Sequence, residues 1–329
     1  MDFILAIDQG STHTRAAVAD LEGRILGVAR SFGACHAYDG MERAMQAVRQ
    51  AVASAREKAG LIKSPARLLF AGMTGADWPD EYHLLQSALL GLGESQQVRV
   101  VNDSIIALRG GTSRPYGVIL IAGTGGNCAV RAPSGKEWIY HYYQEPDLQG
   151  GGALGTRALI AVFRSFTGRE PETLLTPLVL AHYGLNTVDD LCRRYYAGRL
   201  ERVSDLAPLV FRAASSGDSV AENILRSFGE GYVELAVVAM RRLGILDLEI
   251  EVVLSGSVFK GESPWLIHTI ERGILAAAPR ARLVNARYEP LVGAVILGLE
   301  ALGVPLSETI HAHLEDSARS WELIRNVDG

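Results

Sequence analysis

Two turns rich in glycine and hydroxyl side chains are the places where this sequence could do chemistry. Each follows a short apolar run, and their residues are Asp8-Gln9-Gly10-Ser11-Thr12 and Gly123-Thr124-Gly125-Gly126-Asn127. Glycine lets a ligand approach the backbone closely, and successive N–H groups with hydroxyls form a concavity that binds anions. Ordinary polar hairpin residues would explain one such turn, but two at equivalent places predict a clamp around one polyphosphate.

Two further features could complete a nucleotide site. Asp8 ends an apolar run, where a carboxylate is well placed to hold a hydrated Mg²⁺ ion. Ser255-Gly256-Ser257 ends another apolar run and precedes a predicted helix, and its small side chains would let a flat ligand such as adenine lie against the backbone. Taken singly, this second pattern is equally typical of an ordinary strand-to-helix turn.

The hydrophobic pattern places these turns in two copies of one element order, βββαβαβα. The first copy is predicted to have strands at 3–7, 14–19, 25–29, 68–71 and 98–101, with helices at 42–59 and 81–92. The second has predicted strands at 117–122, 128–131, 138–143, 250–254 and 282–285, a helical tract at 154–243, and helices at 265–277 and 291–302. We therefore expect an α/β protein made of two duplicated domains around a central cleft.

The repeat also predicts the domain boundaries. We expect an N-terminal domain over 1–115 and a C-terminal domain over 116–304, with a helical insert at about 154–244. The junction at 109–116 is too short to be a linker and suggests a hinge. The charged tail within 305–329 is expected to form a final helix on the first domain.

Composition excludes several classes of protein. The chain has 329 residues, 48% of them hydrophobic and 21% charged, which is typical of a globular protein. A net charge of −5 gives no electrostatic reason to bind nucleic acid. We expect no signal peptide and no membrane span, because the start is strand-like and the longest apolar runs are short. The three cysteines form no CxxC pair, which argues against a disulfide scaffold or zinc site and favours the cytoplasm.

The motifs and their order resemble the actin/Hsp70/sugar-kinase superfamily, which has the RNase H-like ATPase fold. Within it the chain is similar to the branch of the N-acetylglucosamine kinases and the BadF/BadG/BcrA/BcrD-type ATPases. DQGSTHT resembles the first phosphate motif, VVNDSIIAL the segment of the catalytic aspartate, VILIAGTGGNC the second phosphate motif and VVLSGSV the adenosine motif. The resemblance extends from about residue 4 to 302.

The resemblance implies an ATP-dependent kinase of an amino sugar or related hexose, with Mg²⁺ as cofactor, a small-molecule sugar as substrate and a homodimer as assembly. Asp103 would be the base that takes the proton of the attacking hydroxyl. The alternative for Asp103 is a helix N-cap, and both roles are compatible. Asp8 would orient Mg²⁺. The residues implied to contact ATP are Gly10, Ser11, Thr12, Gly123, Thr124, Gly125, Gly256 and Ser257. Those implied to contact the sugar are Asn127, Asp147, Thr74, Gly75, Cys35 and His36.

The sequence departs from the family pattern on the sugar side. The family signature containing Asp-Glu-Gly corresponds to residues 142–155, where Asp147 is kept but Leu148 replaces the glutamate. Cys35 stands where N-acetylglucosamine kinases have a sugar-binding asparagine, and a thiol cannot replace an amide as donor and acceptor. Two alternatives therefore stand beside a kinase: a BadF-type regulatory or activator ATPase, and a relative that binds sugar and nucleotide with little kinase activity.

Overall fold

The structure is a computed structural model that describes residues 2–62 and 64–325. The chain divides into two compact units, Met1–Gly117 with Val284–Gly329, and Val118–Leu283. Residues 326–329 of the predicted tail lie outside the described part. Within the described residues, no helix is long and apolar enough to cross a membrane.

The first unit is built on a five-stranded mixed sheet. Its elements are β1 (Phe3–Gln9), β2 (His13–Asp20), β3 (Ile25–Phe32), α1 (His36–Asp39), α2 (Met41–Ala59), β4 (Leu68–Met73), α3 (Pro79–Leu90), β5 (Val98–Asn102) and α4 (Asp103–Gly111). The strand order is β3-β2-β1-β4-β5, with β1 antiparallel to β2 and parallel to β4. Every residue of β1 is buried, as expected for a central strand covered on both faces.

The second unit repeats this plan. Its elements are β6 (Gly117–Ala122), β7 (Gly126–Arg131), β8 (Glu137–Ile139), α5 (Gly150–Phe166), α6 (Leu175–Tyr183), α7 (Val188–Tyr196), α8 (Ala207–Ser215), α9 (Ser219–Arg242), β9 (Ile250–Ser255), α10 (Pro264–Ala277) and β10 (Ala281–Asn285). The order β10-β9-β6-β7-β8 matches that of the first sheet. The duplicated α/β fold class predicted from the sequence is confirmed.

One predicted strand of the second copy is too long. A strand was expected over 138–143, but β8 ends at Ile139 and residues His141–Tyr143 form a single 3-10 turn. The backbone of His141 has a φ of 48°, a left-handed conformation that no strand residue adopts. The His141 N–H donates to the Asn127 side chain at 3.2 Å, so the chain turns away at this point.

The last two helices, α11 (Pro290–Ala301) and α12 (Glu308–Ser320), both belong to the first unit. The sequence assigned α11 to the C-terminal domain instead. Gly293 of α11 packs directly on α4, and a Cβ at this position would collide with the carbonyl oxygen of Ile106. Helix α12 lies against β3, where the Ile25 N–H donates to Ser317 Oγ at 3.0 Å.

Candidate functional site

In the first unit the candidate residues collect at one edge of the sheet. Strands β1, β4 and β5 run parallel, and β3 shares their direction because β2 is antiparallel to both of its neighbours. Their carboxyl ends therefore lie at the same edge, which is where α/β sheets commonly bind ligands. The predicted residues at these strand ends are Asp8, Gly10, Ser11, Thr12, Cys35, His36, Thr74, Gly75 and Asp103.

The first phosphate turn is tight and its hydroxyl residues are exposed. The Gly10 N–H donates to the His13 carbonyl at 3.0 Å, which closes the hairpin between β1 and β2. Gly33 lies under the turn, since a Cβ there would collide with the backbone of Ser11 and Thr12. Ser11 and Thr12 themselves face solvent, so their hydroxyls and N–H groups are accessible to a ligand.

Asp8 lies in an environment in which a bound cation would stabilise its negative charge. Burial, together with the negative charge of Asp103, raises its pKa to about 7, and the positive charge of Arg15 opposes this change. The two carboxylates are thus close enough to repel each other, and a divalent cation would relieve that repulsion. No group of three or more metal-ligating side chains occurs in the described residues. A Mg²⁺ ion fits this donor set, since it binds one or two carboxylates and takes its remaining oxygens from phosphates and water.

Asp103 is the first residue of α4, but it is not the helix cap. The Asn102 side chain fills that role, because its Oδ1 accepts a hydrogen bond from the Ser104 N–H at 2.9 Å. The Asn102 amide also donates to Asp77 Oδ1 at 3.0 Å, which ties the end of β5 to the loop after β4. The N-cap reading of Asp103 is therefore wrong. Asp103 is half-buried at the sheet edge, in electrostatic contact with Asp8.

Four residues that the resemblance assigned to the sugar lie together. Cys35 Sγ lies 3.9 Å from the Thr74 carbonyl oxygen. A Cβ on Gly75, whose φ is +77°, would come within 2.7 Å of Cys35 Sγ and 3.1 Å of His36 Nδ1. Burial raises the pKa of the Cys35 thiol, so it is a neutral group. This small cluster contains a thiol and an imidazole, but no amide in place of the family's asparagine.

In the second unit the other two glycine motifs meet. Strands β6 and β9 are parallel neighbours, so the turn at Gly123 and the turn at Gly256 follow adjacent strand ends. Gly256 has a φ of +114°, and a Cβ there would collide with the Ala122 carbonyl oxygen. Only glycine allows this approach. The Gly123 N–H donates to the Gly125 carbonyl at 2.9 Å, which folds the second phosphate turn on itself.

The stretch that departs from the family signature supports this second turn. Gln149 Oε1 accepts a hydrogen bond from the Gly126 N–H at 3.2 Å, and the Gly151 N–H donates to the Gly123 carbonyl at 2.7 Å. Gln149 Nε2 donates to the Gln144 carbonyl at 3.2 Å. The segment from Gln144 to Gly151 therefore wraps the turn with side-chain and backbone hydrogen bonds. Sequence reasoning did not assign Gln149 any function.

Two predicted sugar contacts of the second unit have protein partners. Asn127 is buried, and its Oδ1 accepts from the N–H groups of Cys128 at 2.8 Å and of His141 at 3.2 Å. Asp147 is exposed and forms an ion pair with Arg157 at 3.1 Å. Neither residue lines the cavity beside the second phosphate turn.

That cavity has a volume of about 740 Å³, within the usual range for small-molecule sites. Its lining includes Gly123 and Thr124 of the second phosphate turn and Ser257. The other residues that line it come from the start of α5, from α8 and the segments beside it, and from the segment after β9: Gly151, Ser204, Asp205, Ala207, Pro208, Phe211, Arg212, Ser215, Ser216, Val258, Lys260, Gly261 and Glu262. Sequence reasoning missed the α8 residues, because nothing in a generic amphipathic helix marks it as a cavity wall.

Two sheets with the same strand order, each with a glycine-containing turn after its first strand, define the RNase H-like, actin-like fold. The BadF/BadG/BcrA/BcrD ATPase family model matches residues 5–298, and the chain belongs to this family.

Named relatives agree with this assignment. An N-acetylmuramic acid/N-acetylglucosamine kinase from Clostridium acetobutylicum is 22% identical over 304 residues, which cover 90% of this chain and 98% of the relative. An N-acetylglucosamine kinase candidate from Chromobacterium violaceum has a similar structure, with a TM-score of 0.65, 24% identity, and coverage of 90% of this chain and 99% of its own. A ROK glucokinase from Streptomyces griseus, solved with glucose and AMPPNP, has a TM-score of 0.54 at 18% identity and covers 91% and 99% of the two chains.

Proposed function

We propose that this protein is an ATP-dependent kinase that phosphorylates a hydroxyl of an amino sugar or related hexose. The observation that carries the proposal is the pair of interacting carboxylates, Asp8 and Asp103, at the carboxyl ends of β1 and β5. One can serve a metal ion and the other a reacting hydroxyl. The kinase named among the relatives supports the same reaction class.

The chemistry asks for positioning and charge rather than covalent catalysis. A sugar hydroxyl attacks the γ-phosphorus of ATP, a new O–P bond forms, and the bond to the β-phosphate oxygen breaks to release ADP. Asp103 takes the hydroxyl proton in this scheme. Asp8 would hold Mg²⁺, which supplies positive charge to the phosphate oxygens when bound. The exposed turn at Ser11 and Thr12 would donate hydrogen bonds to the phosphates.

The second unit is proposed to bind the adenosine group. The cavity beside Gly123 and Ser257 has the size needed for an adenosine group. Its close backbone approach at Gly256 supports a flat ring lying against the main chain. Gln149 would keep the second phosphate turn in its folded shape.

The sugar is proposed to differ from N-acetylglucosamine in the group that meets Cys35. A neutral thiol donates weakly and accepts weakly, so it cannot recognise an acylamino group as an asparagine would. We also propose a cytoplasmic location, since Cys35, Cys128 and Cys192 are all free thiols. Cys128 is fully buried in β7, which does not favour a cluster-dependent activator role.

A coupled assay for ADP release tests the proposal, with hexoses, amino sugars and muramic-type sugars as candidate substrates. We expect release to depend on one class of sugar and on Mg²⁺. Asp103→Asn should lower kcat by 10²-fold or more while ATP still binds, because only the base is lost. Asp80→Asn makes the same charge change at an exposed position and should leave kcat unaltered. Sugar-independent ADP release that survives Asp103→Asn would instead identify a regulatory ATPase.

A further inference from the structure

His36 has an unused hydrogen-bonding atom inside the cluster at the sheet edge. Its side chain is only 7% exposed. Its Nδ1 is buried and has no hydrogen-bond partner among the described residues. Leaving a buried polar atom unpaired is unfavourable, so a native structure that keeps one usually supplies the partner from elsewhere.

Glu81 determines which kind of partner is missing. Its Oε1 lies 3.7 Å from His36 Nε2, which is beyond hydrogen-bond distance, and its negative charge favours the tautomer with the proton on that nitrogen. Nδ1 then carries a lone pair and can only accept. Glu81 is itself fixed, because its Oε2 accepts from the N–H groups of Asp77 and Trp78, both at 2.9 Å. The carboxylate that faces the imidazole is therefore fixed at the start of α3.

His36 Nδ1 lies in a closely packed place beside the backbone of Gly75. Nδ1 faces Gly75, where a Cβ would lie only 3.1 Å away. Cys35 Sγ is at the same place, 2.7 Å from the position of that absent Cβ. All three residues lie at the edge that also carries Asp103.

We propose that His36 Nδ1 accepts a hydrogen bond from a hydroxyl or amino N–H of the sugar, and that Glu81 is the positioning residue that keeps it an acceptor. The inference rests on the proposed kinase function and deepens it. It makes the His36 cluster the place where the sugar is selected, through a donor group on the ligand rather than through recognition by an amide.

Matched variants of His36 test the polarity of this contact. Asn places a side-chain oxygen near the position of Nδ1, whereas Gln places its polar atoms near Nε2 and Leu removes both. The sugar that supports turnover in the wild type serves as probe, with its singly deoxygenated analogues. We expect His36→Leu and His36→Gln to raise the sugar KM about five- to tenfold, with kcat and the KM for ATP unchanged. The sugar KM of His36→Asn should stay within about twofold of the wild-type value. One deoxygenated analogue should bind His36→Leu as well as it binds the wild type, because it lacks the group that donates to Nδ1.

Glu81→Gln keeps the helix cap but removes the charge beside Nε2, and it should raise the sugar KM by a smaller factor. Calorimetric binding of the sugar, with thermal unfolding as a folding control, keeps the inference separate from the kinase proposal. If the wild type turns over and folded His36→Leu has an unchanged sugar KM, the role of His36 is overturned and the kinase proposal stands. Sugar binding without turnover overturns the kinase proposal, and the binding constants still decide on His36. A wild type that binds none of the sugars overturns both.

Discussion

Asp8 should make the first unit less stable as pH rises, and removing its charge should reverse this. In the folded protein, burial and the charge of Asp103 raise the Asp8 pKa from its usual value of 3.8 to about 7. Between these two values the unfolded chain has lost the proton and the folded chain has kept it. The folded state therefore loses stability as pH increases, at up to about 1.4 kcal/mol per pH unit.

The size of this loss of stability depends on how much of the pH range lies between the unfolded and folded pKa values of Asp8. From pH 5 to pH 7 the cost to the folded state is roughly 3 kcal/mol, and it does not grow above the folded pKa. Asp8→Asn has no charge to bury, so its stability relative to wild type should improve by about this amount between pH 5 and pH 8. Asp103→Asn should lessen the pH dependence of the wild type, because it removes one of the causes of the raised pKa.

Urea unfolding at pH 5 and pH 8, read by hydrogen exchange in peptides of β1 and β4, measures the effect in the relevant unit. Asp80→Asn is the control, since its side chain is exposed and should show no pH-dependent gain. Saturating MgATP should stabilise wild type at pH 8 and do so far less for Asp8→Asn. An Asp8→Asn effect that is equal at the two pH values would refute the reasoning about buried, repelling carboxylates.

Three other substitutions test the turn at Gly256, the support of the second phosphate turn, and the packing of α11 on α4. Gly256→Ala should raise the KM for ATP by tenfold or more, because its Cβ would collide with the Ala122 carbonyl. Steady-state kinetics measure this change, and an unchanged KM would show that the turn at Gly256 does not contact the nucleotide. Gln149→Leu breaks the contact with the Gly126 N–H and should raise the KM for ATP several-fold more than the sugar KM; an equal change in both would contradict its role at the phosphate turn. Gly293→Ala should lower the free energy of unfolding by more than about 2 kcal/mol, whereas Gly152→Ala, with open space around it, should be neutral or stabilising in the same denaturation assay.

The fold was predictable because its signals are local and repeated. Fully buried strands such as β1 read as continuous apolar runs, and the same order of elements recurs in the second half. The end of β8 was missed because His141 takes a left-handed conformation that its residue type does not predict. The placement of α11 was missed because its packing on α4 depends on Gly293, a contact between distant parts of the sequence.

The site was predictable to a different extent in its two parts. Glycine-rich turns indicate places where the backbone is approached closely, so the neighbouring turns at Gly123 and Gly256 could be expected from their motifs. The cap of α4 could not be predicted from the sequence, because Asn102 and Asp103 are adjacent and both residue types cap helices well. Only the hydrogen bond from the Ser104 N–H identifies Asn102 as the cap. Much of the lining of the cavity beside Gly123 comes from α8, which sequence periodicity describes only as amphipathic.

The departures from the family signature affect the two halves of the reaction differently. Leu148, which replaces a family glutamate, is buried, and a Cβ on Gly231 would come within 2.9 Å of its Cδ1. Gln149 beside it holds the second phosphate turn. These replacements have become part of the framework of the nucleotide turn, so they give no reason to expect a loss of ATP binding. Cys35 and His36, by contrast, change the chemistry offered to a second substrate. A protein altered in this way should keep its nucleotide and change its sugar.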